Sequence, residues 1–344
     1  MDKQEKKSLL EVEDLRVSFF TPAGEVKAVD GISYRLEEHE VMGIVGESGS
    51  GKSVEAYSII GLLQEPGKVI GGSIRFQGEN VLDYSREQMR QFRGNKVSMI
   101  FQNPMTCLNP VYTIGDQLTE ALTCHNREVS AKEARQRAVE MLELVGINNA
   151  EKRMNQYPHE CSGGMRQRAM IAMALICSPK LLIADEPTTA LDVTIQAQIL
   201  ELMKDIQKKT GMAIIFITHN LGVVAEICDR VSVMYAGHIV EQGRVNDIFY
   251  RPAHPYTRGL LRSMPRVDEL EHERLIPIEG TPVDLLDPPA GCPFGPRCES
   301  CMKICLRQAP PSLEVGEDRH IAACWLQVKE RREAQSDGRE KKAP

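Results

Sequence analysis

One eight-residue stretch constrains this chain of 344 residues more than any other feature. Residues 46–53 read Gly-Glu-Ser-Gly-Ser-Gly-Lys-Ser and match the pattern G-x-x-x-x-G-K-[ST] at every fixed position. They follow an apolar run, 41–45, that predicts a buried strand, and they precede a predicted helix. Glycines let backbone N–H groups close around phosphate oxygens, and the helix N-terminus adds a favourable dipole. The stretch therefore predicts a phosphate-binding loop (P-loop).

The pattern of apolar residues predicts the sheet around this loop. Apolar runs at 181–184 and 213–218 are bounded by polar residues and predict buried strands, and 193–209 between them predicts a crossover helix. A strand, a helix and a strand in this order imply a parallel α/β sheet. We expect further β structure from the segments 12–19, 26–36, 69–76 and 97–101.

Charge and composition exclude other classes of protein. Lys and Arg number 42 against 48 Asp and Glu, a net charge of −6 that argues against coating nucleic acid. No uncharged apolar run approaches the ~20 residues that span a bilayer. The charged start, residues 1–10, lacks the apolar segment of a secretory signal, so we expect the chain to stay in the cytosol. The length favours about two domains.

A pair of carboxylates completes the predicted phosphate site. Asp185 and Glu186 follow the predicted strand 181–184, at the carboxyl end where open α/β sheets bind ligands. Asp185 can hold Mg²⁺ through water, and Glu186 can accept a proton from an attacking water. Lys52 should reach the β- and γ-phosphates while the Ser53 hydroxyl ligates Mg²⁺.

Further motifs carry a family resemblance. Residues 161–167, Cys-Ser-Gly-Gly-Met-Arg-Gln, resemble the signature motif of ATP-binding cassette (ABC) ATPases, although the first position is more often leucine. Four other positions match this family in order: Phe19 matches the aromatic that stacks on adenine, Gln102 the Q-loop glutamine, Asp192 the D-loop and His219 the switch histidine.

The resemblance implies an α/β fold of the P-loop NTPase type. The expected ABC cassette covers residues 9–250, with a RecA-like core, an antiparallel β subdomain and an α-helical signature subdomain at about 110–168. In this family two cassettes enclose two ATP molecules, and each signature motif contacts the ATP held by the partner's P-loop. The implied residues are catalytic Glu186, His219, Lys52 and Gln102; ATP-binding Gly46, Glu47, Ser48, Gly49, Ser50, Gly51, Lys52, Ser53 and Phe19; partner-ATP-binding Ser162, Gly163, Gly164 and Gln167; and Mg²⁺-binding Ser53, Gln102 and Asp185.

Other stretches resemble the ATPases of oligopeptide and dipeptide importers, namely 102–110, 159–168, 254–258 and 291–298. This implies ATP hydrolysis that energises peptide import at the cytoplasmic face of the cell membrane. The implied partners are two membrane permease subunits, a second, related cassette subunit and an extracytoplasmic solute-binding protein. Nickel importers share much of the pattern, so import of nickel or another solute is an alternative. A soluble ABC ATPase without transport and a redox sensor are two more.

Five of the ten cysteines lie in the proline-rich stretch beyond residue 251. Four of them, Cys292, Cys298, Cys305 and Cys324, have the spacing x5, x6 and x18, and Cys301 is extra. Four thiolates can hold Zn²⁺ or a [4Fe–4S] cluster. The resemblance favours the cluster on these four, with zinc second and buried thiols without metal third. We expect a Cys-rich, Pro-rich accessory domain over 251–326 and a disordered charged tail over 327–344.

Overall fold

The structure is a computed structural model that describes residues 8–102, 107–189, 192–264 and 277–330. Within these ranges the strands are β1 (Ser8–Thr21), β2 (Gly24–Glu37), β3 (Val41–Val45), β4 (Gly67–Phe76), β5 (Glu79–Asn80), β6 (Val97–Ile100), β7 (Leu181–Asp185), β8 (Ala213–Thr218), β9 (Arg230–Tyr235), β10 (His238–Arg244), β11 (Ser312–Glu314) and β12 (Ile321–Ala323). The helices are α1 (Lys52–Ile59), α2 (Arg86–Phe92), α3 (Ile114–Thr123), α4 (Ala131–Leu144), α5 (Ala150–Arg153), α6 (Gly163–Leu175), α7 (Val193–Thr210), α8 (Leu221–Ile227), α9 (Val245–Tyr250) and α10 (Pro255–Arg262).

The larger sheet carries the parallel core. Its order is β11-β12-β10-β9-β3-β8-β7-β6, and the neighbours from β9 to β6 are parallel. Strands β3, β7 and β8 are buried along their whole length, as expected for parallel strands covered on both faces. The predicted parallel α/β sheet is confirmed. Its register pairs Val45 with Thr218 and Asp185 with Ile217, so β3, β7 and β8 end at the same edge.

The two faces of this sheet bury different layers. Met42, Ile44 and Ile183 point towards α1 and the smaller antiparallel sheet, whose order is β2-β1-β4-β5. Val41 and Leu182 point the other way, towards α7, α8 and the helices of the region 110–175. Alternate residues of a strand face opposite sides, so a continuous apolar strand supplies both cores.

Helices α3–α6 form the helical region that the sequence predicts. The Ser130 hydroxyl accepts the N–H of Glu133 at 3.2 Å and caps α4, and Gly146 ends that helix with φ +75°. The inward faces of α3, α4 and α6 share one apolar core. Within the described ranges, no helix is both long and apolar enough to cross a bilayer.

The C-terminal segment, residues 277–330, packs directly on the larger sheet. Its strands β11 and β12 extend the larger sheet beyond β10, and Cys292, Phe294 and Cys305 share a core with β9. Residues 325–330 are helical, so the predicted disorder from residue 327 is wrong for 327–330. The remainder of that predicted tail, 331–344, lies outside the described residues.

A buried carboxylate joins the C-terminal segment to the sheet. Glu241 on β10 is fully buried and accepts the backbone N–H groups of Ala253 at 2.7 Å and His254 at 2.9 Å. The Nε2 atom of His320 lies 2.8 Å from the same carboxylate. Removing it would leave buried N–H groups without an acceptor, which is among the most costly changes in a protein interior.

We therefore expect Glu241→Ala to lower the free energy of unfolding by about 3 kcal/mol, measured as a fall in melting temperature. The matched control is Glu226→Ala, because Glu226 pairs with Lys204 at an exposed position. This control should cost less than about 1 kcal/mol. Equal shifts in the two variants would contradict the structural role of Glu241.

Candidate functional site

The P-loop connects β3 to α1 and requires glycine at its tight points. A Cβ atom at Gly46 would lie 2.1 Å from the Met234 carbonyl oxygen, and one at Gly51 would lie 2.3 Å from that of Ala28. Gly51 also has φ +99°, which favours glycine. The loop is therefore held against β9 and β2 by backbone contacts that no side chain permits.

Lys52 lies at the centre of the loop. Its Nζ atom donates to the carbonyl oxygens of Gly46 at 2.8 Å and Glu47 at 2.9 Å. Burial lowers the pKa of Lys52, while the carboxylates of Glu186, Asp185 and Glu47 oppose this shift. The ammonium group thus lies where the loop would receive phosphate oxygens, with three negative charges near it.

Two oxygen donors lie beside Lys52 at the carboxyl end of β7. The Ser53 hydroxyl donates to Oδ1 of Asp185 at 3.0 Å. Burial raises the pKa of Asp185, and the Ser53 hydrogen bond and the Lys52 charge act against this rise. A hydroxyl and a carboxylate are the hard oxygen ligands that Mg²⁺ prefers, so these residues fit the predicted magnesium site.

Glu186 has polar partners on three sides. Its Oε2 atom accepts from Nε2 of Gln102 and from the hydroxyl of Thr189, both at 2.9 Å, and its Oε1 atom lies 3.1 Å from Nδ1 of His219. Burial acts to raise the pKa of Glu186, but the hydrogen bonds from His219 and Thr189 outweigh it and the net pKa is lowered. The lowered pKa favours the ionised carboxylate, which the predicted role of Glu186 as a base requires.

The first residues of the signature motif form the N-terminus of α6. The Ser162 hydroxyl caps the helix by accepting the N–H of Met165 at 3.3 Å. Ser162 and Gly163 are exposed, and a Cβ atom at Gly163 would meet nothing within 4 Å. Ser162 and Gly163 are therefore accessible to a ligand held by another molecule.

Gln167 is placed differently from the rest of this motif. It is only 1% exposed, and its Nε2 atom donates to the carbonyl oxygen of Pro187 at 2.6 Å. In this structure the side chain points inward, and its predicted contact with the partner's ATP stays a prediction. The side chain connects α6 to the loop that follows Glu186.

The two remaining predicted positions lie at the edges of the site. Asp192 is exposed, and its side chain caps α7 by accepting the N–H of Ile195 at 3.0 Å. Residues 190–191 of the D-loop lie outside the described residues, and so do residues 103–106 after Gln102. Phe19 is half-buried on β1 and packs over Gly67 of β4. Its stacking on adenine stays a prediction, as does the contact of Asp192 with a partner.

The cysteines of the C-terminal segment are placed differently: Cys292 and Cys305 belong to the apolar core that includes β9, and Cys298 packs against it. Cys292, Cys305 and Cys324 are buried, Cys298 is half-buried and Cys301 is exposed. Burial raises the pKa of Cys292 to about 12 and that of Cys298 to about 11, and neighbouring cysteines add to both shifts. Among the described residues, no group of three or more His, Cys, Asp or Glu side chains is arranged to hold a metal ion. The structure therefore does not show the predicted [4Fe–4S] cluster or the alternative zinc, and both stay predictions.

Comparison with known proteins identifies the family of the chain. Residues 29–189 match the ABC transporter family, and residues 240–305 match the oligopeptide/dipeptide transporter, C-terminal region. The oligopeptide transport ATP-binding protein OppD of Bacillus subtilis (strain 168) is 56% identical over 92% of this chain and 88% of its own length. The chain belongs to the ABC transporter family. It is therefore an ATP-binding cassette with ATPase activity, and such cassettes bind ATP with Mg²⁺.

Other relatives agree with this assignment. The dipeptide transport ATP-binding protein DppD of the same organism is 56% identical over 93% of this chain and 95% of its own length. A dimeric ATP-binding cassette solved in a post-hydrolysis state with ADP and Pi superposes with a TM-score of 0.62 at 26% identity, covering 69% of this chain and 98% of the other. The cbiO1 cassette of Clostridium perfringens gives the same TM-score at 30% identity, over 72% of this chain and 92% of its own.

Sequence reasoning missed three residues of the cassette's site. Thr189 bonds to Glu186, and Tyr256 and Arg297 contact Glu47 of the P-loop. The sequence could have indicated Thr189, because it follows Glu186 by only three residues. Tyr256 and Arg297 lie in the stretches 254–258 and 291–298 that carry the resemblance, but their contact with Glu47 has no local signal because it spans more than 200 residues.

Proposed function

We propose that this cassette is the ATP-hydrolysing subunit that energises import of dipeptides or oligopeptides through separate membrane permease subunits. The observation that carries the proposal is the similarity of more than nine-tenths of the chain to oligopeptide and dipeptide transport ATP-binding proteins. The match of residues 240–305 to the C-terminal region of such transporters supports it independently of the ATPase motifs.

The arrangement of side chains supports a separate role for each group in ATP hydrolysis. Lys52 and the P-loop N–H groups would bind the β- and γ-phosphates, and Ser53, Asp185 and Gln102 would hold Mg²⁺, which would supply charge neutralisation at the phosphates. Glu186, kept ionised by its partners, orients the attacking water and accepts its proton. His219 then stabilises charge that develops on the γ-phosphate.

A second cassette would complete the site. The exposed Ser162 and Gly163, followed by Gly164, are free to contact ATP on the P-loop of a related but different cassette subunit.

A cavity of about 550 Å³ beside Gln102, lined by Tyr57, Phe101 and Met170 among others, is suited to contact with a permease. An extracytoplasmic solute-binding protein would deliver the peptide, and the cassette would work at the cytoplasmic face of the membrane. We assign the cassette to 9–250 and the accessory domain to 251–326.

Two experiments separate this proposal from its alternatives. Co-expression with candidate permeases should yield a detergent-stable complex, whereas a soluble ABC ATPase would purify without one. In that complex, solute-binding protein saturated with a dipeptide or an oligopeptide should stimulate ATP turnover, measured as phosphate release. Stimulation by Ni²⁺ and not by peptide would replace the peptide proposal with the nickel alternative.

We further propose that Cys292, Cys298, Cys305 and Cys324 bind a [4Fe–4S] cluster, with zinc as the alternative. What supports this is that all four lie in one region, where the cysteines shift one another's pKa. Protein purified anaerobically should contain about four irons and four acid-labile sulfides per chain. One zinc without sulfide would favour the alternative, and neither metal would contradict both and leave buried thiols.

A further inference from the structure

The C-terminal segment contacts the P-loop through one arginine. Arg297 lies just before Cys298, and its guanidinium binds the carboxylate of Glu47 with both ends, Nη1 to Oε2 at 2.6 Å and Nη2 to Oε1 at 3.0 Å. The Arg297 side chain is 4% exposed and that of Glu47 is 27% exposed. Bidentate pairs of this kind are strong and directional, and burial protects this one from screening by salt.

Hydrogen bonds hold the guanidinium of Arg297 on every side. Besides Glu47, its N–H groups meet the carbonyl oxygens of Glu279 at 3.0 Å and Ile278 at 3.3 Å and the hydroxyl of Tyr235 at 3.3 Å. All five donors of the guanidinium therefore have acceptors. The hydrogen bond to Glu47 is the main reason that the pKa of Arg297 lies above its ordinary value.

The backbone of Glu47 is held from the same side. Its N–H donates to the Tyr256 hydroxyl at 2.9 Å, and the rings of Tyr256, Tyr235 and Phe294 pack together with centroids 4.7–5.3 Å apart. Two residues from beyond position 250 thus fix both the backbone and the side chain of one P-loop residue. Nothing in the assigned mechanism uses this contact.

The charge of Glu47 gives the contact a consequence for ATP. Glu47 is an acidic residue inside a loop that must receive phosphates, and its charge acts on Lys52. An unpaired carboxylate there would repel the nucleotide and compete for the lysine. We propose that Arg297 is a positioning residue for ATP binding: it neutralises Glu47 and holds the P-loop in its phosphate-binding shape, so that the C-terminal segment sets the affinity for ATP.

This inference rests on the proposed ATP site, and the test keeps the two apart. Full-length chain carrying Glu186→Gln, in which ATP is not consumed, is titrated with Mg-ATP by calorimetry. Adding Arg297→Ala should weaken ATP binding by about tenfold, and Arg297→Lys should recover part of the loss because lysine keeps the charge without the fork. If the Glu186→Gln chain binds no ATP at all, the proposed function fails. If it binds ATP and Arg297→Ala changes the affinity by less than about twofold, only the inference fails.

The matched control separates positioning from general destabilisation. Arg230 also anchors the C-terminal segment, through the carbonyl oxygens of Asp318 at 2.8 Å and Arg319 at 3.2 Å, and its described contacts do not include the P-loop. Arg230→Ala should lower the melting temperature and leave the ATP affinity unchanged. An equal loss of affinity in both variants would show loosening of the whole segment and overturn the inference.

A double-mutant cycle tests the electrostatic part. In a Glu47→Gln background there is no carboxylate to neutralise, so Arg297→Ala should cost less than about threefold in ATP affinity. The same tenfold cost in both backgrounds would contradict a role through Glu47. In the assembled transporter, Arg297→Ala should raise the KM for ATP by about tenfold and change kcat by less than about twofold.

Discussion

Glu186→Gln is expected to reduce ATP turnover by about 10²–10⁴-fold while ATP still binds. The substitution keeps the shape of the side chain and its position between Gln102, Thr189 and His219, but it removes the group that accepts the proton of the attacking water. ATP should therefore remain trapped in closed cassettes. The measurement is phosphate release at saturating ATP, together with ATP retained on the purified complex.

The control for this prediction is Glu201→Gln on the exposed side of α7, which should leave turnover unchanged. A loss of turnover in the control would indicate a general sensitivity to lost charge. Normal hydrolysis by the Glu186→Gln variant would contradict the assignment of Glu186 as the base.

Lys52→Ala is expected to weaken ATP binding by about 100-fold, because two charge-assisted hydrogen bonds to phosphate are lost at about 1.5 kcal/mol each. Lys52 is the one basic residue among residues 46–53 of the P-loop. Its ammonium group also donates to the carbonyl oxygens of Gly46 and Glu47. The affinity is measured by calorimetry with Mg-ATP, and the melting temperature shows that the variant is folded.

The control is Lys204→Ala, which removes a lysine that pairs with Glu226 on the surface, away from the P-loop. Its ATP affinity should equal that of the unmodified chain. If Lys52→Ala bound ATP as tightly as this control, the phosphates would have to lie elsewhere and the P-loop assignment would be wrong.

The centre of the fold was predictable because its signals are local. The glycines of 46–51 must lie between a strand and a helix, and the apolar runs of β7 and β8 are too short and too continuous for surface elements. The helical region was predictable for the same reason, since the cap at Ser130 and the stop at Gly146 are read from neighbouring residues.

The C-terminal strands were not predictable from local signals. Strands β11 and β12 have three residues each, and their pairing depends on the free edge of β10 rather than on their own sequence. The inward orientation of Gln167 also depends on a distant partner, the carbonyl oxygen of Pro187. The Arg297–Glu47 ion pair joins residues 250 positions apart. Contacts of this range are fixed by packing, which a single sequence does not show.

The most direct test of the central claim is uptake of a labelled peptide by vesicles. The cassette is reconstituted with its permeases, its partner cassette and the solute-binding protein, with the cassettes facing an interior that contains ATP or ADP. We predict that a labelled oligopeptide or dipeptide accumulates inside only with ATP, and that Glu186→Gln abolishes the accumulation. ATP hydrolysis without any peptide accumulation, in vesicles that accumulate Ni²⁺ instead, would contradict the claim that this cassette energises peptide import.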